Sequence, residues 1–247
     1  MAAPQRRLSA ARIIAAPILF FIAVGLVIQC GFALASFAKA ADVRDLAASI
    51  EKGFQPDADY LSRFVRDNGL DRPSSDCGDA LTRARLTISL AALDAAGKGF
   101  DLALIDAATK TALESARHRL ACDPLDGNAW LRLAMIEVQS SGPAPAAIDA
   151  LRLSYWSAPS ESWVMAARLP FATRLYLAGA PGFESEYLDD LGRFAAYEPS
   201  NQVAATYVDT EPRIRSLLHP LIAAQPEKRK KEIVAEIDRL GLLFDAQ

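Results

Sequence analysis

The sequence predicts an all-α protein in which an N-terminal transmembrane helix precedes a series of antiparallel helix pairs. Three observations support this fold class. A long segment near the start is apolar and uncharged, apolar residues further along recur three and four positions apart, and turns with proline or glycine separate these periodic segments. Alternating runs of β-branched residues, which would indicate strands, are nearly absent.

The apolar segment Ile13–Ala38 contains 26 residues and no charge. A helix of this length crosses a hydrocarbon core of about 30 Å. Because the basic residues Arg6, Arg7 and Arg12 precede it, the positive-inside rule predicts a cytoplasmic tail over residues 1–12 and a signal anchor over residues 13–38. The remainder is then expected in the periplasm, on the outer side of a bacterial inner membrane.

Two other interpretations of this segment stay open. The small residues Ala38 and Ala40 resemble a signal-peptidase cleavage motif, although the apolar run is longer than the roughly 7–15 residues usual in a signal peptide. Alternatively, the anchor is inverted and the domain is cytoplasmic, because Lys39, Arg44 and Lys52 follow the segment.

The charge balance of the remainder excludes one class of partner. All 30 acidic residues follow Ala41, whereas four of the 27 basic residues precede it. Nucleic-acid binding requires a basic face to contact phosphates. The acidic excess therefore predicts that nucleic acid is not a partner.

Cysteine usage fits an exported domain. Cys30 lies within the apolar segment, and Cys77 and Cys122 lie in the remainder. Two cysteines in an oxidising compartment are a candidate disulfide pair. The alternative is that Cys77 and Cys122 are two buried free thiols.

After the anchor, residues 39–80 predict a helical lead-in followed by a loop. Its helices, Asp42–Gly53 and Asp57–Asn68, each carry one apolar face, and the Asn68-Gly69 pair ends the second. Residues 81–199 predict helical repeats, and residues 200–247 predict C-terminal helices. The predicted helices are Ala80–Ala96, Leu102–Cys122, Asn128–Ser140, Ala144–Ser157, Glu161–Leu177, Glu184–Tyr197, Pro212–Ala224 and Glu227–Leu243.

The stretch "ACDPLDGNAWLRLA" at residues 121–134 indicates a repeat. Pro124 and Pro159 are 35 positions apart, and Trp130 and Trp163 are 33 apart. This spacing and the tryptophan and small residues resemble the tetratricopeptide repeat, whose period is about 34 residues. The resemblance covers residues 81–199 and implies a set of repeat-core residues, namely Trp130, Leu133, Ala134, Ala146 and Trp163.

The match to the tetratricopeptide pattern is incomplete. Glu137 stands at the tyrosine position, Ala150 stands at the phenylalanine position, and Pro170 falls within a first helix. The fold is therefore expected to be either a TPR-like solenoid or an irregular α-bundle. A solenoid of stacked helix pairs presents an extended concave face, which implies protein–protein binding.

One tryptophan has no place in the repeat pattern. Trp156 lies in an aromatic-rich segment, and an exposed aromatic residue on a helical solenoid is a candidate for partner binding. Arg152 and Arg168 are its expected neighbours in that contact. The alternative is that Trp156 packs in the core.

The sequence offers few candidate residues for catalysis or metal binding. Glu114, His118 and Cys122 share one helix face and offer metal-ligand types, but a solvated stripe ending in a structural cysteine is the simpler interpretation. The acidic pair Asp189 and Asp190 is expected on a polar helix face. The sequence predicts no catalytic residue, no metal, no cofactor and no enzymatic activity.

These expectations combine into one functional hypothesis. The protein is predicted to be a membrane-anchored, TPR-like adaptor or scaffold of a bacterial envelope assembly, with protein partners in the cell envelope. The anchor and the tetratricopeptide-like stretch weakly resemble accessory proteins of envelope polysaccharide (exopolysaccharide) biosynthesis and export. The alternatives are a periplasmic hydrolase acting on glycans and a structural subunit of a secretion or division complex.

Overall fold

The computed structural model describes residues 24–25 and 40–244, and all regular secondary structure within these residues is helical. The predicted all-α class is confirmed for this part of the chain. The predicted tail over residues 1–12 lies outside the described residues, as does the predicted anchor apart from Val24 and Gly25. Among the described residues, no helix combines the length and the apolar character needed to cross a bilayer.

Helix α1 covers residues 40–51. The other helices follow, most of them after short connections, and α4 and α8 have the bounds that the sequence predicts. They are α2 (Ala58–Asp67), α3 (Asp79–Gly99), α4 (Leu102–Cys122), α5 (Gly127–Ser141), α6 (Pro145–Ser157), α7 (Ser162–Leu177), α8 (Glu184–Tyr197), α9 (Ser200–Asp209), α10 (Pro212–Ala223) and α11 (Glu227–Arg239).

Helix α9 is absent from the sequence prediction. It has only 10 residues, and its segment contains asparagine, threonine and valine, which are weak helix formers. Its buried residues, Val203, Ala204 and Tyr207, lie on one face, and the helix packs mainly against α11. Tertiary packing therefore stabilises a helix that local propensity does not reveal.

Aspartate side chains begin several of the helices. Asp57 accepts a hydrogen bond from the Tyr60 amide (2.7 Å) at the start of α2. Asp101 caps α4 in the same way, and Asp126 caps α5 by accepting from the Ala129 amide (2.9 Å). Each carboxylate pairs an amide that the first helical turn leaves without a partner.

The described chain divides into two compact units, of which the first ends at residue 95. Its core contains residues from α1, α2 and α3, with Leu61 and Ile88 completely buried. The Arg85 guanidinium donates to the Leu70 carbonyl (2.6 Å) and to the Arg72 carbonyl. These bonds fix the segment that follows α2 against α3.

The second unit begins at residue 96 and contains α4 to α11. Helix α5 packs against α4, α6 and α7, and α8 packs against α7 and α10. Most helices therefore contact their neighbours in the chain, as in a helical repeat. Where α5 begins, Gly127 lies so close to the end of α6 that a Cβ atom there would be 2.3 Å from the Ala158 Cβ.

The turn between α4 and α5 is fixed by side chains from both helices. The buried Arg119 of α4 donates to Asp126 (2.7 Å) and to Asp123 (3.1 Å). The half-buried Trp130 donates its indole N–H to the Pro124 carbonyl (2.8 Å). This bond connects Trp130, in the first turn of α5, to the proline turn that precedes the helix.

The residues predicted for the repeat core differ in burial, and Trp130 of α5 is only half-buried. Leu133 and Ala134 are buried, as expected. Ala146 is exposed and Ala147 is buried instead, while Trp163 is 55% exposed and Val164 is completely buried. Both helices are thus rotated from the expected register by one residue, which moves a side chain by about 100° around a helix. Ala146 and Trp163 are therefore not core residues.

Candidate functional site

A groove of about 770 Å³ lies in the second unit, between α6 and α8. The end of α6 and the turn after it form one wall, and α8 forms the other. We call it the Trp156 groove, and it is lined by Asp149, Arg152, Leu153, Tyr155, Trp156, Pro159, Glu186, Asp189 and Arg193.

The helical period brings these residues to the same surface. Asp149, Arg152 and Trp156 follow the spacing i, i+3, i+7 along α6, which places them on one face of the helix. The α8 residues Glu186, Asp189 and Arg193 share that spacing. Two charged helix faces therefore border the groove.

Trp156 is the most exposed tryptophan of the described residues, with 74% of its surface accessible. It lies in the last turn of α6. A large aromatic side chain in this position buries little apolar area in the free protein and retains that area for a partner. Arg152, which the sequence pairs with Trp156, lines the same groove.

Two polar contacts join the walls of the groove. The Arg152 Nε donates to Glu186 Oε1 (3.0 Å), and Arg193 donates to the Pro159 carbonyl (2.8 Å). Partial burial of Glu186 acts to raise its pKa, but hydrogen bonds from Ser185 and Arg152 outweigh it and lower the pKa below its usual value. Glu186 is therefore a carboxylate at neutral pH.

One buried arginine forms hydrogen bonds to both walls of the groove. Arg168 of α7 donates to both carboxylate oxygens of Asp190 on α8, at 2.8 and 3.0 Å. It also donates to the Ser154 carbonyl (2.7 Å) and the Ala158 carbonyl (3.3 Å) at the end of α6. The two side chains are completely buried. A planar guanidinium with five donors suits such a network.

This network corrects two expectations. Arg168 was expected beside Trp156 at a partner contact, but a completely buried side chain cannot touch a partner. Its role is to support the groove. Asp190 was expected on a polar helix face, whereas only Asp189 of that pair lies on the surface. Burial raises the pKa of Asp190, and the hydrogen bonds from Arg168 oppose that rise.

Tyr155 lies between this network and the groove. Its ring is stacked under the Arg168 guanidinium, with 4.3 Å from the guanidinium carbon to the ring centre. Its hydroxyl is buried and has no hydrogen-bond partner among the described residues. Burial, together with the charge of Asp190, raises its pKa above the usual value. The hydroxyl is therefore a neutral donor and acceptor without a partner, an uncommon state for a buried polar group.

Sequence reasoning identified Arg152 and Trp156 but missed the α8 wall and the Tyr155 hydroxyl. One signal for the α8 wall was present. Arg168 stands alone in the apolar segment "VMAARLPF", and an isolated charge in a buried helix needs an opposite charge nearby. No comparable signal marks Tyr155, because its missing hydrogen bond is a property of the packing.

The other candidate ligands do not form a metal site. The Cys122 Sγ is 3.9 Å from the His118 Nε2, but Cys122 is disulfide-bonded and so is no thiolate ligand. Cys77 is also disulfide-bonded. The pairing of these two cysteines with each other remains a prediction from the sequence. Within residues 40–244, no group of three or more histidine, cysteine or acidic side chains is arranged to hold a metal ion.

Comparison of the chain with protein-family models, with curated proteins and with solved structures finds no match.

Proposed function

We propose that the protein is a single-pass, membrane-anchored adaptor of a bacterial envelope assembly and that its partner binds at the Trp156 groove. The observation that carries this proposal is the 74% exposure of Trp156 beside the Arg152–Glu186 ion pair. Energetically dominant interface residues are most often tryptophan, tyrosine and arginine. The groove presents two of these types on its surface and the third in its wall.

The contacts that connect the two walls of the groove favour a binding role. Arg168 connects the end of α6 to α8 from behind, and the Arg152–Glu186 pair connects the same helices at the surface. A preformed site loses little conformational entropy when it binds, so more of the contact energy appears as affinity. The walls are therefore held in place before a partner arrives.

The proposed location depends on the sequence. The uncharged segment over residues 13–38 has the length of a membrane anchor, and basic residues precede it. Disulfide-bonded cysteines agree with an oxidising compartment such as the periplasm. The resemblance of residues 121–134 to a tetratricopeptide repeat supports an adaptor role. The anchored accessory proteins of polysaccharide export remain the class that this combination resembles.

Photo-crosslinking in living cells tests the proposal. A crosslinking amino acid replaces Trp156 in one strain and Trp163 in another, and captured proteins are identified by mass spectrometry. Trp163 is the matched control because it is also exposed, at 55%, but does not line the groove. We expect position 156 to capture inner-membrane polysaccharide synthesis or export proteins that position 163 does not capture. Equal capture at both positions, or none at position 156 in a folded protein, would contradict the proposal.

A further inference from the structure

We propose that the Trp156 groove binds a basic helix of the partner protein, with one arginine stacked on Trp156 beside Asp189 and a second cation paired with Asp149. This inference rests on the proposed binding role of the groove and names the chemistry of the partner segment.

The two walls of the groove run in the same direction. Arg152 donates to Glu186 (3.0 Å), and Arg193 donates to the Pro159 carbonyl (2.8 Å). The two residues of each pair are 34 positions apart. Because the separation is the same at both points, α6 and α8 are parallel, and residues 34 positions apart lie level with each other across the groove.

This register places two carboxylates relative to Trp156. Asp189 lies level with position 155 and is therefore next to Trp156 across the groove. Asp149 precedes Trp156 by seven residues on the same face of α6, which is two turns, or about 10 Å along the helix axis. The groove thus has one carboxylate beside the tryptophan and another two turns away.

Those two carboxylates have no partner. Asp149 and Asp189 are exposed, and neither forms a hydrogen bond or an ion pair with another described residue. The third carboxylate, Glu186, is paired with Arg152, and Arg193 is bonded to a backbone carbonyl. With three carboxylates and two guanidinium groups, the lining has a net charge of −1. The unpaired negative charges favour a cationic ligand over an anionic one.

The ring of Trp156 is also uncovered. It is 74% exposed and contacts no ring or cation among the described residues. Arg152 lies one turn before it on the same face of α6, but its guanidinium is bound to Glu186 instead. A tryptophan face attracts a cation through the quadrupole of the ring, and arginine is found there more often than lysine. Because a stacked guanidinium still donates through its edge, an arginine of the partner can cover the ring and bind Asp189 together.

A helix matches this arrangement better than an extended segment. Two cations seven residues apart on a helix lie on one face, about 10 Å apart, which is the spacing of Trp156 and Asp149. An extended segment gains much of its affinity from main-chain hydrogen bonds to a sheet edge, whereas both walls here are helices whose backbone groups are paired internally except at their ends. A helix contacts the groove through side chains alone. The partner segment is therefore a helix with arginine or lysine residues two turns apart.

Fluorescence anisotropy of labelled peptides tests the inference, with the full-length chain held in an uncharged detergent. The probes are three helical peptides built from alanine and glutamine, each labelled with an uncharged dye. They carry arginine, glutamate or glutamine at two positions seven residues apart. We expect the arginine peptide to bind saturably, at least about tenfold tighter than the other two, and less tightly as salt is added. A glutamate or glutamine peptide that binds as tightly, or no binding of any peptide to folded protein, would overturn the inference.

Two variants locate the contact. We expect Trp156→Ala to weaken binding of the arginine peptide at least about threefold through loss of the cation–π contact. The double variant Asp149→Asn, Asp189→Asn is expected to weaken it at least about tenfold without lowering the melting temperature, because both side chains are exposed. The matched control, Asp106→Asn with Asp209→Asn, removes the same charge from two exposed positions outside the groove and is expected to bind as the wild type does. An equal effect of the two double variants contradicts the proposed contact.

Charge reversal provides a sign that non-specific adhesion does not produce. In the variant Asp149→Lys, Asp189→Lys, we expect the glutamate peptide to bind more tightly than the arginine peptide. An unchanged preference for the arginine peptide would show that these two aspartates are not the groups that bind the cations.

The outcomes also separate this inference from the proposed function. If position 156 crosslinks to export proteins but the arginine peptide has no advantage, the adaptor role stands and the basic-helix assignment fails. If the arginine peptide binds through Trp156 and the two aspartates but crosslinking captures no protein, the basic-helix assignment stands and the proposed adaptor role fails.

Discussion

The Arg168 guanidinium and the Asp190 carboxylate form a two-pronged ion pair that is completely buried, with N–O distances of 2.8 and 3.0 Å. The same guanidinium binds the carbonyls of Ser154 and Ala158 at the end of α6. One arginine on α7 thereby sets the position of both walls of the Trp156 groove. The stability of the unit and the shape of its site therefore depend on the same contact.

We predict that Arg168→Met lowers the free energy of unfolding by about 3–5 kcal/mol, because it leaves Asp190 as an unpaired buried charge. Urea denaturation measures this loss. The matched surface control is Arg152→Met, which removes the exposed Arg152–Glu186 pair and is expected to cost less than about 1 kcal/mol.

The combined variant Arg168→Met, Asp190→Leu checks the cause of that loss. Removing both charges leaves no unpaired group, so we expect it to recover more than half of the lost stability. An equal loss in the single and combined variants would show that the contacts of Arg168 with α6 matter more than its charge.

We predict that Gly127→Ala destabilises the second unit by about 1–3 kcal/mol. The new Cβ would be 2.3 Å from the Ala158 Cβ and 3.0 Å from the Ala158 amide nitrogen, so α5 and α6 must move apart. Thermal unfolding followed by circular dichroism measures the change. The control Gly97→Ala adds a methyl group to α3, where nothing lies within 4 Å, and is expected to stabilise by up to about 1 kcal/mol. A stable Gly127→Ala variant would refute the close approach.

We predict one disulfide bond between Cys77 and Cys122, both of which are disulfide-bonded. Peptide mapping by mass spectrometry without reductant should yield one crosslinked pair of peptides, and Cys30→Ser should leave it unchanged. Cys77→Ser is expected to cost about 2–4 kcal/mol, because the unfolded chain loses a covalent constraint. Alkylation of both thiols in unreduced protein would contradict the prediction.

We predict that the second unit loses stability above pH 10. Burial raises the pKa values of Tyr155 and Tyr187 above the usual 10.0. The stability that these neutral phenols contribute is complete below pH 10, and it falls as the pH rises towards their folded-state values, by up to about 1.4 kcal/mol per pH unit for each group. Urea midpoints at pH 7, 10 and 11 measure the slope. Tyr155→Phe should have a shallower slope, and an identical slope would contradict the prediction.

The helices were predictable because their signals are local. Periodic apolar residues, aspartate caps and proline or glycine turns lie within a few positions of the ends that they determine, as Asp57 and Asp126 illustrate. Helix α9 is the exception, since its stability comes from packing against α11. The one-residue error at Ala146 and Trp163 has a similar origin, because the rotation of a helix about its axis depends on its neighbours.

The site was only partly predictable. The aromatic density of the sequence identified Trp156 and Arg152, but α8 contributes its wall from about 34 positions further along, as in the pairs Arg152–Glu186 and Arg193–Pro159. Spacing along the sequence carries no information on such a pairing. The unpartnered hydroxyl of Tyr155 arises from the arrangement of three helices and is visible only in the structure.

The most direct test of the proposed binding site compares Trp156→Ala with Trp163→Ala in purification of the anchored protein from membranes, with quantitative mass spectrometry of the co-purified proteins. Because both residues are exposed, we expect both variants to have the melting temperature of the wild type. The proteins that crosslink from position 156 should fall at least about tenfold in the Trp156→Ala sample and stay at the wild-type level in the Trp163→Ala sample. Wild-type recovery with both variants would show that the groove is not the binding site.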